Sequence, residues 1–324
     1  MEPVEEVTIV GGGPAGSYCA YQLLSKGINA VIFDNSHPRE KPCGGGISPL
    51  ATIKFPFLSQ YASKGSSTSD FRIISTNNQE VITKDNGNSF NISRRILDLG
   101  ILDMATENGA RLIKEKVTAI EKAKGFWKIK TKNRILKTKM IVGADGVRSL
   151  VREKTVGPIS KENLGLGTGY LVKGAEQEVS TMKFLKGIPG YIWIFPRRDH
   201  TSIGIGSELS YGGVLKKLLD EFIQSYCPKV RVLSKFAALL PAIKSQKFYK
   251  LKCAGSNWVL IGDAAGHVDP ISGEGILYAL WSAQLAADAI QKKDPKSFDE
   301  HWRKEYGYGL LEKCKQREFF YSQQ

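Results

Sequence analysis

Short apolar runs punctuated by glycine occur near both ends of the chain, each followed by a stretch of helical spacing. Val7–Val10 is a β-branched run of the kind that forms a parallel strand buried on both faces. Residues 15–24 carry apolar side chains at helical spacing, and Gly27 follows as a C-cap would. INAVIFD, 28–34, is a second strand, so the first 34 residues predict the opening of a βαβ unit. Between about 52 and 90 the pattern changes. FRIISTNNQEVITK and SFNIS alternate, with Asn-Gly as a turn signal, and predict antiparallel strands. RRILDLGILDMATENGA predicts an amphipathic helix, and GFWKIKTKNRILKTKMIVGAD a hairpin running into a buried strand. GLGTGYLVKG, VSTMKFLKG, YIWIFPRR and HTSIGIG predict further strands, followed by a helix over GVLKKLLDEFIQSY. NWVLIGDAAG returns to a buried strand and turn, and GILYALWSAQLAADAI is a long helix.

This pattern predicts an α/β fold with an α+β insert: a discontinuous Rossmann-like nucleotide-binding domain interrupted by an antiparallel-sheet domain. The nucleotide-binding domain is expected over 1–51, 90–158 and 253–295. The substrate domain is expected over 52–89 and 159–252, with a C-terminal helical segment over 296–324. The 324 residues are enough for two cores, and 42% hydrophobic with 24% charged residues is a globular composition. No stretch approaches the ~20 apolar residues needed to span a bilayer. The N-terminus is acidic and runs straight into a strand, unlike a signal peptide. Five scattered cysteines, Cys19, Cys43, Cys227, Cys253 and Cys314, contain no C-x-x-C, which favours a reduced cytoplasmic protein without a metal cluster. The net charge of +14 comes without any nucleic-acid-binding signature. It is expected to reflect solvated faces, an anionic cofactor or peripheral contact with an anionic membrane face.

Three segments carry nucleotide chemistry. Gly11-x-Gly13-x-x-Gly16, with Pro14 and Ala15 inside it, follows a strand and opens a helix. Its glycines permit a tight turn and close approach of a pyrophosphate to the helix N-terminus. Asp34 ends the next strand, where an acidic side chain binds a ribose hydroxyl. In the second segment, IVGADGVRSLVR, Asp145 follows a buried strand. In the third, Gly262-Asp263 ends a strand, and Pro270, Gly273 and Gly275 shape a turn before a helix starting near Ile276.

Together these segments resemble the FAD-binding domain of the flavoprotein hydroxylase-like superfamily, and within it the geranylgeranyl reductase family. The resemblance spans residues 6–290. It implies FAD, with pyrophosphate over Gly11, Gly13 and Gly16, Asp34 on the adenosine ribose, and Arg94 of SRRILD on the phosphates. It also implies Asp263 on the ribityl chain and residues 270–276 along the isoalloxazine ring, and it adds Val117 to the cofactor residues. Two features favour this family over its relatives. KPCGGGIS, with Cys43, Gly44, Gly45 and Gly46, matches a loop that lies beside the flavin. Tyr191-Ile-Trp193-Ile-Phe195-Pro196 matches the aromatic strand of the substrate cavity, with Tyr191, Trp193 and Phe195 on one face by alternation.

The implied reaction is saturation of polyprenyl double bonds in membrane lipid synthesis. Cys43, in the Gly44-Gly45 loop, is the candidate proton donor, or else a small apolar contact. A flavin monooxygenase or halogenase, and a prenyl-lipid carrier with structural FAD, are the rival readings. The electron donor, NAD(P)H or a ferredoxin, is left open, because no second dinucleotide fingerprint is visible. Family members commonly run longer, with a C-terminal segment over the lipid cavity. The cavity here is therefore expected to be shorter, more open or completed by a partner. His267 and Asp269 sit where uncharged residues are usual, and His267 is assigned no role.

Overall fold

The computed structural model describes residues 4–175 and 179–323, with the side chains of residues 68–69 and 85–88 outside the description. The outer bounds expected for the domains, residues 1 and 324, therefore lie outside the described residues. Contacts divide the chain into two compact units. The first comprises residues 1–39, 98–160 and 245–314; the second comprises 40–97, 161–244 and 315–324.

The first unit is built on a sheet of seven strands among the described residues. Arg111–Ile113, Ala30–Phe33, Val4–Val10 and Ile135–Gly143 lie side by side and parallel. Trp258–Leu260 adds in parallel to the far end of Ile135–Gly143. The near end of that strand pairs antiparallel with Phe126–Lys130, which pairs with Ala119–Ala123. Apolar runs buried on both faces form the parallel part, as Ile9, Ile32, Ile141 and Val142 show by being fully buried. The helices Pro14–Leu24 and Ile276–Gln291 pack against each other.

The second unit is an eight-stranded sheet among the described residues. Its order is Arg231–Pro241, Leu164–Lys173, Thr201–Glu208, Ile188–Pro196, Ser180–Leu185, Ser66–Ile74, Glu80–Asn91 and Gly46–Ile47. Every pairing is antiparallel except Ser180–Leu185 with Ser66–Ile74. Alternation assigns the two faces. Tyr170, Val172, Ile192, Ile194, Ile203 and Ile205 form one core with Leu215, Leu219 and Phe222 of the helix Gly212–Tyr226. The opposite face carries Tyr191, Trp193 and Phe195 among Gly165, Gly167, Gly169, Gly204 and Gly206. A Cβ on Gly204 would meet the Trp193 ring at 2.2 Å, and one on Gly169 would meet Phe236 at 2.5 Å. Glycine on the central strands is what lets these large rings lie flat on the sheet.

One expected turn is not a turn. Asn86-Gly87 lies inside the strand Glu80–Asn91, where the register with Ser66–Ile74 shifts between Thr68 and Asp70. The chain reverses instead over residues 75–79, where Asn78 takes a positive φ of 64°. An Asn-Gly pair serves a bulge as readily as a hairpin, because both need relaxed backbone.

Candidate functional site

In the first unit the three nucleotide segments converge at the C-terminal ends of the parallel strands. Gly11 has φ +102°, and a Cβ there would strike the Ala144 carbonyl oxygen at 2.3 Å. The first turn is thereby pressed against the second segment, and Ala144 N donates to Val10 O at 2.8 Å. Gly262, φ +56°, sits against Ala15, 3.0 Å from where its own Cβ would be, which joins the third segment to the first. Gly16 crosses Gly11 so closely that a Cβ would meet its oxygen at 1.9 Å. Gly13 differs: a Cβ there would meet nothing within 4 Å. The helix Pro14–Leu24 begins at this open position with no side-chain cap and no acidic residue in its first turn. Amides free of a capping side chain, at the positive end of a helix dipole and beside open space, fit a dinucleotide pyrophosphate.

Asp34 is more occupied than the sequence suggested. Its Oδ2 accepts from Gly12 N at 2.7 Å, and its Oδ1 accepts from Ser36 N at 2.6 Å and His37 N at 3.0 Å. The His37 ring joins it to Asp98, with Nδ1 3.0 Å from Asp34 Oδ1 and Nε2 3.4 Å from Asp98 Oδ2. Burial opposes both charges. His37 with the Gly12 and Ser36 amides nonetheless holds the Asp34 carboxyl well below its usual range, and the two aspartates hold His37 above its own. Oδ2 retains a lone pair for one further donor, so Asp34 still fits a ribose hydroxyl. His37 was missed because its second partner is 61 residues away.

Asp145 caps the helix Leu150–Thr155 from one end. It accepts from Ser149 Oγ at 2.5 Å and Leu150 N at 2.6 Å, and burial raises its pKa. Asp263 sits at the turn after Trp258–Leu260, and a Cβ on Gly275 would lie 3.5 Å from its Oδ1. The helix Ile276–Gln291 starts at Gly275 without a side-chain cap. Asp269, buried, accepts from Ile271 N and Ser272 N, both at 2.9 Å, and pairs with Lys313 at 2.5 Å. It folds the segment from Pro270 to Gly273, whose φ is +70°. His267 is a satisfied buried histidine. Its Nδ1 is 2.8 Å from the Tyr306 hydroxyl and its Nε2 is 3.7 Å from Cys253 Sγ, within rings of Trp302 and Phe298. Burial pushes its pKa down to about 3, helped by Arg152 and Arg303. Val117 is buried between the strands Arg111–Ile113 and Ala119–Ala123.

Cys43, Gly44, Gly45, Gly46, Arg94, Tyr191, Trp193, Phe195 and Pro196 lie in the second unit. There the loop and the aromatic strand meet. A Cβ on Gly44 would enter the Phe195 ring at 2.5 Å, and one on Gly46 would approach it at 3.1 Å. Gly45, φ +81°, has Ile92 O 2.2 Å from its missing Cβ. Gly44 and Gly45 are thus required by the unit's own packing, and Gly46 is closely approached. Gly45 N donates to Cys43 Sγ at 3.3 Å. Ser202 Oγ donates to Cys43 O at 3.1 Å and accepts from Trp193 Nε1 at 3.1 Å.

Arg197 holds this loop and was not singled out from the sequence. Its Nη2 donates to Cys43 O at 2.8 Å and Gly44 O at 3.1 Å, and its Nη1 pairs with Glu40 at 2.7 Å. Glu40 also accepts from Ser93 Oγ at 2.5 Å and Arg94 N at 3.1 Å. Burial would raise the Glu40 pKa, but the Arg197 charge and the Ser93 bond hold it below its ordinary value. The signal available was only the dipeptide Arg197-Arg198 after the aromatic strand, which reads equally as a solvated basic turn. Among the described residues no cluster of metal-ligating side chains is present.

No family model matches the chain. It is 26% identical to digeranylgeranylglycerophospholipid reductase 1 of Methanococcoides burtonii, over 99% of this chain and 85% of that protein. It is 29% identical to a menaquinone reductase of Mycobacterium tuberculosis, over 89% of this chain and 77% of that one. Among solved structures, a geranylgeranyl bacteriochlorophyll reductase-like protein of Thermoplasma acidophilum superposes with a TM-score of 0.85 at 22% identity. That match covers 98% of this chain and 88% of that one. A flavin-dependent brominase shares the fold at a TM-score of 0.77 and 20% identity, over 95% and 84% of the two chains.

Two predictions follow from this geometry. Arg197→Ala should destabilise the second unit by roughly 3–5 kcal/mol, because Glu40 and two carbonyls lose a buried donor. Arg197→Lys should recover only part, lacking the fork. Denaturant titration reads both, and a parental midpoint for the alanine variant would contradict the clamp. The second concerns His267, neutral in the fold down to about 3 but protonated below about 6.5 when unfolded. Stability should fall with acidification across that window, by up to about 1.4 kcal/mol per pH unit from this group. His267→Phe should remove that share of the slope, and superimposable pH profiles would contradict it. Over nearly its whole length the chain is thus similar to proteins named digeranylgeranylglycerophospholipid reductase, and it shares the fold of a geranylgeranyl bacteriochlorophyll reductase-like protein.

Proposed function

We propose that this protein is an FAD-dependent oxidoreductase that saturates carbon–carbon double bonds of polyprenyl groups in lipids. The observation that carries the reading is the second unit's loop. Arg197 and Ser202 hold the Cys43 and Gly44 carbonyls, and with them the glycine loop, onto a strand that carries Tyr191, Trp193 and Phe195 on one face. The reductases that the chain resembles, named for a digeranylgeranyl phospholipid and for menaquinone, support the substrate class. The open turn at Gly13 and the spare lone pair of Asp34 support FAD as the flavin.

Bound FAD supplies the hydride when reduced. The chain's own residues do the rest. The aromatic face of Tyr191, Trp193 and Phe195 takes an apolar chain and excludes water from it. The Cys43 thiol gives a proton to the second alkene carbon, and the Gly45 amide, aimed at the sulfur, meets the charge left behind. Among the described residues no helix is long and apolar enough to cross a membrane. The net charge of +14 supports docking on anionic lipid.

The test is anaerobic incubation of the dithionite-reduced protein with geranylgeranyl lipid, followed by mass spectrometry. Products heavier by two hydrogens per double bond are expected, and unchanged lipid would overturn the reading. In the same assay Cys43→Ser and Cys43→Ala should keep the flavin and slow turnover by ~10²–10⁴-fold, the usual worth of a placed proton donor. Near-parental rates in both would leave the thiol as a packing contact. Asp263→Ala should lose roughly tenfold or more in FAD affinity, the worth of a charge-assisted hydrogen bond. Asp145→Ala should lose less, because its carboxylate is spent on capping Leu150–Thr155. Equal flavin retention in a titration would refute that order.

A further inference from the structure

The aromatic face of the second unit has two ends. At Phe195 it meets the Cys43–Gly46 loop. At the other end it meets the last turns of the helix Tyr308–Gln323. Phe320 sits edge-on to Phe184 with ring centroids 5.3 Å apart, and Tyr321 sits edge-on to the same ring at 6.1 Å. Phe184 continues to Tyr191 at 6.2 Å, and Tyr191 to Trp193 at 6.3 Å. Such edge-to-face pairs add to the area they bury.

The helix end is anchored independently of these rings. Arg317, 4% exposed, pairs with Glu208 at 2.7 Å, and Lys244 pairs with the other oxygen of that carboxylate at 3.0 Å. The Arg317 guanidinium also lies over the Tyr321 ring, 5.2 Å from its centroid. A buried charge pair of this geometry is costly to break, so it holds Phe320 and Tyr321 at one place relative to the strand Thr201–Glu208. Sequence periodicity does not reveal this, because a charged residue, Arg317, stands on the buried face between Cys314 and Tyr321.

We infer that Phe320 and Tyr321, held by Arg317, are the end wall of the prenyl-binding face and set the longest chain segment the protein accepts. The identity of the chain as prenyl rests on the proposed function. The face runs from Phe195 to Tyr191, four residues or about 13 Å of strand, and then to Phe184. A chain laid along it from the Cys43 loop ends against Phe320. Chain beyond that point meets the Phe320 and Tyr321 rings, so additional methylenes add no affinity.

The wall is tested by binding alone. Saturated n-alkanols of increasing length are titrated into the protein by calorimetry, since they bind as apolar chains and cannot be reduced. Parental affinity should rise roughly fourfold per added methylene and stop rising at a cut-off length. Phe320→Ala with Tyr321→Ala should move the cut-off to longer chains and improve affinity at least tenfold for chains just past the parental limit. Phe320→Trp should move it to shorter ones, which keeps the proposal testable if the double variant folds poorly. An unchanged cut-off in both variants overturns the wall, and so does a parent that binds no alkanol. A parent that shows the cut-off but reduces no prenyl lipid sinks the reductase reading and leaves the wall standing.

Discussion

The buried guanidinium of Arg197 is the contact on which the second unit's chemistry depends. It reaches two carbonyls of the Cys43-Gly44 loop and one carboxylate, Glu40, and that carboxylate in turn receives Ser93 and the Arg94 amide. One side chain thereby ties the start of the helix Arg94–Glu107, the glycine loop and the end of the aromatic strand into a single rigid cluster. Five donors in a planar fork suit this task, and a point charge does not. The glycines are the other half of the same constraint. Without Cβ atoms at Gly44 and Gly46, the Phe195 ring lies directly against the backbone of the loop that begins at Cys43.

Backbone contact does in the first unit what charge does in the second. Gly11 against Ala144, Gly16 against Gly11 and Gly262 against Ala15 press three chain segments together at the ends of parallel strands. Where the glycines crowd one another they serve the fold; at Gly13, where nothing crowds, the surface is left for a ligand. Asp269 shows the same economy. Absent from the usual pattern, it is the residue that folds the Pro270–Gly273 turn, through two amides and Lys313.

Much of this was legible in the sequence because it is local. The strand–turn–helix at 4–24, the alternation of Tyr191, Trp193 and Phe195, and the buried strand before Asp263 follow from spacing within a few residues. What escaped depends on partners far apart in the chain. Glu40 and Arg197 are 157 residues apart, Asn91 and Ser180 are 89 apart, and Glu208 and Arg317 are 109 apart. The strand Arg231–Pro241 was missed because most of it is exposed, so it lacks the apolar alternation that marks a half-buried strand. Phe320 and Tyr321 were expected only as part of the C-terminal helical segment, and nothing in the spacing there pointed to their packing on Phe184, which lies far away in the chain.

The central claim is that reducing equivalents held by the flavin pass to an alkene and not to oxygen. Stopped-flow absorbance of the fully reduced protein, mixed with geranylgeranyl lipid under strict anaerobiosis, reads this directly. The account predicts reoxidation of the flavin with one equivalent consumed per double bond saturated. A flavin that stays reduced until air is admitted, and then yields hydroxylated or halogenated product, would contradict it.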